Sequence, residues 1–219
     1  MLNRRQFMIG VAGLIAAARL AKAADAPFEK EIQAFELADK KLAPAQNAVL
    51  FVGSSTIRFW TTLAEDFPNE TVINRGFGGS QLADSVRYAN RIIIPYHPRK
   101  IVLYAGDNDL AGGKTPRQVF DDFKAFVNEV RPELPNTEIL YLSIKPSIAR
   151  WKLVEQIKQA NSLISDYTKT EKNLGYIDIY PLLLGSDGRP RKELFRPDGL
   201  HMSREGYKLC VPVIEPRIR

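Results

Sequence analysis

Short apolar segments alternate with amphipathic segments along most of this sequence, and no other feature constrains the fold as strongly. Five segments have the length of strands and are apolar on both faces: 48–52, 71–74, 101–105, 138–144 and 176–179. Helical patterns precede and separate them, at 28–42, 56–67, 81–94, 116–131 and 152–173. Buried strands that alternate with helices are typical of a parallel sheet covered by helices on both sides. The sequence therefore predicts an α/β fold, a three-layer α/β/α sandwich around a five-stranded parallel sheet.

The first 23 residues differ from the rest and resemble an export signal. Arg4 and Arg5 precede an apolar run at 7–18, and Ala21-Lys22-Ala23 has the small-x-small pattern that a signal peptidase needs. The run is too short to span a bilayer comfortably, and the paired arginines resemble the twin-arginine signal. We expect residues 1–23 to be a cleaved leader and residues 24–219 to form one periplasmic or secreted domain. A plain secretory leader and an uncleaved membrane anchor are the alternatives.

Charge and cysteine content exclude several classes of function. The chain has 31 basic and 25 acidic residues, and removing the leader deletes four basic residues and no acidic one, which leaves 27 against 25, or +2. A domain so close to neutral lacks the electrostatic footprint of a nucleic-acid-binding protein. Cys210 is the only cysteine, so we expect a core residue there and no internal disulfide. With only two histidines, a zinc or iron–sulfur site is not expected.

Polar or glycine-rich segments follow four of the predicted strands. They are Gly53-Ser54-Ser55, the segment 76–80, Gly106-Asp107-Asn108-Asp109 and, near the C-terminus, Asp198-Gly199-Leu200-His201. Ligands of open parallel sheets bind beyond the carboxyl ends of the strands. We therefore expect the four segments to meet at one edge of the sheet and to form the functional site.

Ser55 and His201 have the residue types and setting of a nucleophile and its base. A serine hydroxyl attacks only when a base removes its proton and a third group orients that base. Asp198, three residues before His201, can accept a hydrogen bond from one ring nitrogen while the other faces a hydroxyl. His97 precedes the third strand, at the opposite end of the sheet, and we expect a surface or packing role for it. The alternative for Ser54 and Ser55 is that they only cap the following helix.

The glycine segment 76–79 does not have the spacing of a dinucleotide-binding loop, because Gln81 stands where the third glycine would be. A flavodoxin-like or Rossmann-like nucleotide binder is therefore disfavoured. We expect the backbone N–H of Gly79 to point at an oxyanion; a tight turn with Ser80 as helix cap is compatible with this. The side-chain amide of Asn108 can donate to the same oxyanion. We expect Asp109 to be structural.

In order and position, the four segments resemble the SGNH (GDSL-like) hydrolase superfamily. The resemblance implies the flavodoxin-like SGNH hydrolase fold and a serine esterase or acylhydrolase that needs no metal and no cofactor. It implies Ser55 as nucleophile, His201 as base and Asp198 as its orienting residue. The oxyanion hole would be formed by the N–H groups of Ser55 and Gly79 and by the amide of Asn108.

One position departs from the family pattern, because Ser54 stands where Asp often precedes the nucleophile. A branch with serine there also exists, and Ser54 is the control to test. The expected partner is a small-molecule, glycan or lipid ester, with no nucleic acid and no stable membrane insertion after cleavage of the leader. Acetylated polysaccharides, short-chain esters, lysophospholipids and thioesters all remain open as substrates, and the oligomeric state is not predicted. The main alternative function is a non-catalytic carbohydrate- or lipid-binding module that retains the fold.

Four residues near the motifs have open roles. Trp60, Phe77 and Trp151 are expected in the core, with an acyl pocket as the alternative. Arg150 follows the fourth strand on the expected active edge, where stacking or anion binding is conceivable.

Overall fold

In the computed structural model, which describes residues 27–219, five strands form one sheet. The strands are β1 (Val49–Gly53), β2 (Val72–Gly76), β3 (Lys100–Tyr104), β4 (Glu138–Leu142) and β5 (Leu174–Ile177). Their order is β2-β1-β3-β4-β5, and every neighbouring pair is parallel. The predicted sheet is confirmed, and its strand order is flavodoxin-like. The predicted leader, residues 1–23, lies outside the described residues.

Helices cover both faces of the sheet. The α-helices are α1 (Glu29–Lys41), α2 (Ser55–Arg58), α3 (Leu63–Asp66), α4 (Leu82–Arg87), α5 (Ala89–Ile92), α6 (Asp107–Ala111), α7 (Pro116–Val130), α8 (Val154–Thr168) and α9 (Arg204–Ile218). Short 3-10 turns lie at Ile94–Tyr96, Trp151–Leu153, Pro181–Leu183 and Lys192–Leu194. Within residues 27–219, none of these helices is both long enough and apolar enough to cross a bilayer.

Alternating side chains of the central strand enter two separate cores. Leu50 and Val52 pack in one core, under α1, α4, α5, α7 and α8. Val49 and Phe51 pack in the other, under α2, α3 and α9. Successive side chains of a strand point to opposite faces, so a strand that is buried on both faces must be apolar throughout. One core therefore lies between the sheet and the helices on each face. This is the predicted three-layer sandwich, which is confirmed.

Two of the predicted helices are each broken into two short ones. The helix predicted at 56–67 stops at Arg58 and resumes at Leu63, and the one predicted at 81–94 bends at Tyr88, between α4 and α5. Thr61 and Thr62 are β-branched residues with low helix propensity. The periodic apolar pattern continues across both breaks, because both halves still cover the sheet.

The C-terminal helix α9 is an addition to the predicted elements, and it contains Pro212 and Pro216. A proline inside a helix removes one backbone hydrogen bond and costs about 3 kcal/mol. Burial of one face of α9 offsets this cost: Tyr207, Cys210 and Ile214 are all at most 3% exposed. Tertiary packing here outweighs local propensity.

Asp66 joins α3 to α9, and we expect the Asp66→Ala variant to lose about 2–4 kcal/mol of unfolding free energy. Its carboxylate accepts two hydrogen bonds from Arg204, at 2.7 and 2.5 Å, and one each from Trp60 Nε1 and Thr62 Oγ1, at 2.7 and 2.9 Å. Only 7% of the Asp66 side chain is exposed, so the alanine variant leaves these donors without their acceptor. Urea unfolding measures the loss.

The matched control is Asp121→Ala, which removes an exposed ion pair with Arg117 and should cost less than about 1 kcal/mol. Burial raises the pKa of Asp66, but the hydrogen bonds from Arg204, Trp60 and Thr62 outweigh burial and lower the pKa overall. A lowered pKa stabilises the fold above the ordinary carboxyl range, so the advantage of wild type over Asp66→Ala should shrink on acidification. Equal losses in the two variants would contradict this account of Asp66.

Candidate active site

Hydrogen bonds join the loops that follow β1, β2 and β3. The N–H of Ser54 donates to the carbonyl of the last residue of β3, and the N–H of Phe77 donates to the carbonyl of Gly53, both at 2.9 Å. The side chain of Asn108 donates to the carbonyl of Ser80, also at 2.9 Å. Because β1 lies between β2 and β3, these three segments meet at the carboxyl edge of the sheet, as the sequence predicts.

A sharp turn at Gly53 places Ser55 at the start of α2. Gly53 has a φ of +128°, and a Cβ there would lie 1.9 Å from the carbonyl oxygen of Tyr104. Only glycine fits this position. Ser54 is fully buried, and its hydroxyl neither caps α2 nor has a hydrogen-bond partner in the described part of the chain. Ser55 is 8% exposed, and its hydroxyl faces a histidine instead of capping the helix.

The side chains of Ser55, His201 and Asp198 form a continuous hydrogen-bonded line. Oγ of Ser55 lies 3.0 Å from Nε2 of His201, and Nδ1 of His201 lies 2.6 Å from Oδ2 of Asp198. The carboxylate accepts from Nδ1–H, which leaves Nε2 free to accept from the serine hydroxyl. This arrangement can remove the proton of Ser55 as its oxygen attacks an electrophile.

Asp198 is held in place by its own loop. Its Oδ1 accepts from the backbone N–H groups of Leu200 and His201, both at 2.9 Å. Desolvation raises the pKa of Asp198, but the hydrogen bonds from the His201 ring and from these two N–H groups outweigh it and hold the pKa well below its usual range. The carboxylate therefore stays ionised while it orients the imidazole.

Phe59 contacts the ring of His201 and is not among the residues predicted for the site. Its ring packs edge-on against the His201 ring, with centroids 4.8 Å apart. The guanidinium of Arg196 lies over the same phenyl ring at 4.6 Å. The only sequence signal was the position of Phe59, one residue after the short helix that begins at Ser55.

Gly79 and Asn108 lie in the two loops that flank the Ser55 turn. Gly79 has a φ of +85° and is exposed, with open space where a side chain would be. Asn108 donates one of its two amide hydrogens to Ser80. Within residues 27–219, no acceptor takes the other. The oxyanion-donor roles of both residues stay predictions.

The structure contradicts the alternative role for Ser80 and agrees with the structural role expected for Asp109. The alternative in which Ser80 caps a helix is wrong, because its hydroxyl donates to the carbonyl of Phe77 at 2.9 Å and Gln81 takes the cap position of α4. Asp109 has the structural role that was expected. It is fully buried and accepts from the N–H of Leu82 at 3.2 Å and from Lys114 at 2.9 Å.

The remaining expectations concern aromatic residues, the cysteine and the second histidine. Trp60 and Phe77 are at most 1% exposed and belong to the core, not to an acyl pocket. The core prediction is wrong for Trp151, which is half-buried and belongs to neither core; the guanidinium of Arg189 lies 4.9 Å from its ring. Cys210 is fully buried, as expected. His97 is exposed and precedes β3, at the far end of the sheet.

Arg150 contacts Asn108, the predicted oxyanion donor, and Lys145 pairs with the residue before Asn108. Nη2 of Arg150 donates to Oδ1 of Asn108 at 2.8 Å. Lys145, which is 1% exposed, forms an ion pair with Asp107 at 3.1 Å. Lys145 is not among the residues predicted for the site, although a lysine that closely follows a buried strand on the active edge was a usable signal.

A groove of about 1030 Å³ runs beside Asp198. It is formed by the residues after β4 and by the loop before His201: Ile148, Ala149, Lys192, Glu193, Phe195, Arg196, Pro197, Asp198 and Gly199. Asp198, the partner of His201, lines this groove, whereas Ser55 and His201 do not. Within residues 27–219, no three His, Cys, Asp or Glu side chains cluster as possible metal ligands.

The sequence matches the model of one protein family, and the structure is similar to several solved structures. The model of the GDSL-like lipase/acylhydrolase family matches residues 48–209, whereas no curated protein sequence matches the chain significantly. Three similar solved structures are a proposed platelet activating factor from Streptococcus pneumonia, a GDSL-like lipase from Bacteroides thetaiotaomicron and a carbohydrate esterase family 3 protein from Talaromyces cellulolyticus.

These structures support the fold over nearly their whole length. The streptococcal protein is 22% identical, with a TM-score of 0.78 over 94% of this chain and 99% of that chain. The Bacteroides lipase is 19% identical, with a TM-score of 0.73 over 85% and 96%. The Talaromyces protein is 17% identical, with a TM-score of 0.62 over 77% and 94%. At such identities the similarity establishes the fold alone.

Proposed function

Because the chain belongs to the GDSL-like lipase/acylhydrolase family, we propose that it is a serine esterase that hydrolyses carboxylic esters through an acyl-serine intermediate. The observation that carries the proposal is the continuous line from Ser55 Oγ through the His201 ring to Asp198, with distances of 3.0 and 2.6 Å. The matched region, 48–209, contains every residue assigned a role in the reaction.

The proposed reaction has two steps, which use the same groups in turn. Oγ of Ser55 attacks the carbonyl carbon of the ester while Nε2 of His201 takes the hydroxyl proton. The bond to the alcohol oxygen then breaks, and His201 gives the proton to that oxygen, so that the alcohol leaves. Water next attacks the acyl-serine, again losing a proton to His201, which returns it to Ser55 as the acid leaves.

In both steps the carbonyl oxygen becomes an oxyanion, and we assign three donors to it. They are the N–H groups of Ser55 and Gly79 and the free amide hydrogen of Asn108. A single donor of this kind typically lowers the barrier by about 3–4 kcal/mol. The φ of +85° at Gly79 supports this role, because a glycine there lets its N–H approach the substrate without a side chain.

We assign the alcohol part of the ester to the groove beside Asp198. His201 must protonate the leaving oxygen, so the alcohol lies on the histidine side of Ser55, and the groove is lined by Asp198, the hydrogen-bond partner of His201. For the acyl part we propose a short chain. Of the three aromatic residues considered for an acyl pocket, Trp60 and Phe77 are buried in the core, and Trp151 alone is partly exposed.

A panel of p-nitrophenyl esters from acetate to octanoate tests the proposal. We expect hydrolysis, with kcat/KM highest for acetate or butyrate and lower for octanoate. Preference for octanoate would contradict the short-chain assignment. If the folded protein cleaves none of the esters and no fluorophosphonate labels it, the esterase proposal fails and a non-catalytic binding module takes its place.

A further inference from the structure

The side chain of Arg150 controls which way the amide of Asn108 faces. Nη2 of Arg150 donates to Oδ1 of Asn108 at 2.8 Å, and Nδ2 of Asn108 donates to the carbonyl of Ser80 at 2.9 Å. If the amide turned over, its NH2 group would face the guanidinium and its oxygen would face the Ser80 carbonyl. Two donors would then face each other at one contact and two acceptors at the other. Only the observed orientation therefore satisfies both neighbours. That orientation is the one that leaves an N–H for an oxyanion.

Arg150 is itself fixed by buried charges. Its Nη1 lies 3.1 Å from Oδ2 of Asp107, the residue before Asn108. The same oxygen accepts from Nζ of Lys145 at 3.1 Å, and Nζ also donates to the hydroxyl of Tyr104 at 3.2 Å. Lys145 and Asp107 are 1% and 4% exposed, and 18% of the Arg150 side chain is exposed.

Lys145 and Asp107 stay charged despite their burial. Burial lowers the pKa of Lys145, but the charge of Asp107 outweighs it and the pKa is raised. Burial likewise raises the pKa of Asp107, but the charges of Lys145 and Arg150 outweigh it and the pKa is lowered. Burial also raises the pKa of Tyr104 to about 12, so the phenol remains neutral. Two cations and one anion leave the cluster with a net charge of +1 beside Asn108.

We propose that Arg150, anchored by Asp107 and Lys145, is a positioning residue of the oxyanion hole that orients the Asn108 amide and polarises its free N–H toward the substrate oxyanion. The inference rests on the proposed esterase function. A cation on the amide oxygen draws electron density from the nitrogen, which makes its N–H a stronger donor. The net positive charge also favours the negative charge that develops only in the transition state, so it acts on kcat more than on KM.

Stability alone does not account for this cluster. Replacing buried ion pairs with apolar residues is often neutral or stabilising, since desolvation costs much of what the charges gain. Through Arg150, the cluster contacts Asn108, the one side chain that is assigned to the oxyanion hole.

A double-mutant cycle between Arg150 and Asn108 tests the proposal. With p-nitrophenyl acetate, we expect Asn108→Ala to lower kcat roughly 100- to 1,000-fold and Arg150→Met roughly 10- to 100-fold, with KM nearly unchanged. In the Asn108→Ala background, Arg150→Met should change kcat by less than about threefold, because its effect passes through the amide. Arg150→Lys, which keeps the charge, should recover part of the loss.

Controls separate this role from the alternatives. Lys152→Met removes an exposed cation two residues away and should leave kcat within about twofold. If Arg150→Met is unfolded at the assay temperature, Arg150→Gln takes its place. A full Arg150→Met loss in the Asn108→Ala background, or a loss mainly in KM, would overturn the proposal, since Arg150 would then act on structure or substrate directly. An inactive wild type would instead contradict the proposed function.

Discussion

A Ser55→Ala protein is expected to lose ester hydrolysis almost completely, with kcat lowered on the order of 10⁵-fold or more. The reason is chemical: no other hydroxyl lies within hydrogen-bond distance of His201 Nε2, among residues 27–219. The fold should not change, since the alanine removes one oxygen at the end of a strand-to-helix turn. Hydrolysis of p-nitrophenyl acetate measures the loss, and circular dichroism reports the fold.

Ser54→Ala is the matched control, because it removes the adjacent hydroxyl. Oγ of Ser54 is buried and has no hydrogen-bond partner in the described residues. We therefore expect this variant to fold and to keep kcat within about threefold of wild type. If Ser54→Ala is inactive and Ser55→Ala active, the assignment of the nucleophile is wrong.

The Gly53→Ala variant is expected to be the most damaging small substitution for stability, at about 4 kcal/mol or more of unfolding free energy. Its added methyl group would lie 1.9 Å from the carbonyl oxygen of Tyr104, which belongs to the backbone of the neighbouring strand. The backbone at Gly53 also has a φ of +128°, which strains any residue with a side chain. The turn must therefore move, and Ser55 moves with it. Urea unfolding measures the effect.

Gly113→Ala separates the two causes. Gly113 also has a positive φ, +94°, but a Cβ there would meet nothing within 4 Å. It should therefore lose only the conformational cost, about 1 kcal/mol. A comparable loss in both variants would show that the backbone angle, and not the contact with Tyr104, makes Gly53 necessary.

The sheet and the meeting of the loops were predictable because both follow from patterns that local sequence carries. The continuous apolar run at 48–52 requires burial on both faces, and Thr115-Pro116 begins a helix where a capping residue and a proline suggest one. In a parallel sheet, everything that directly follows a strand lies at one edge. The membership in the GDSL-like family, first inferred from four short segments in order, is confirmed by the family model.

The features that escaped prediction depend on contacts between distant parts of the chain. Helix α9 forms despite Pro212 and Pro216 because one of its faces packs on the sheet, and a local pattern cannot reveal that packing. The contact of Arg150 with Asn108 joins residues 42 positions apart. Their types suggested chemistry, but only the fold specifies the partner.

Reaction with a fluorophosphonate followed by peptide mapping shows directly which hydroxyl is the nucleophile, because the reagent labels only a serine that a base has activated. We expect one label per protein, on Ser55, and no label on folded Ser55→Ala. A label on Ser54 or on any other residue, or no label on folded wild type, would contradict it.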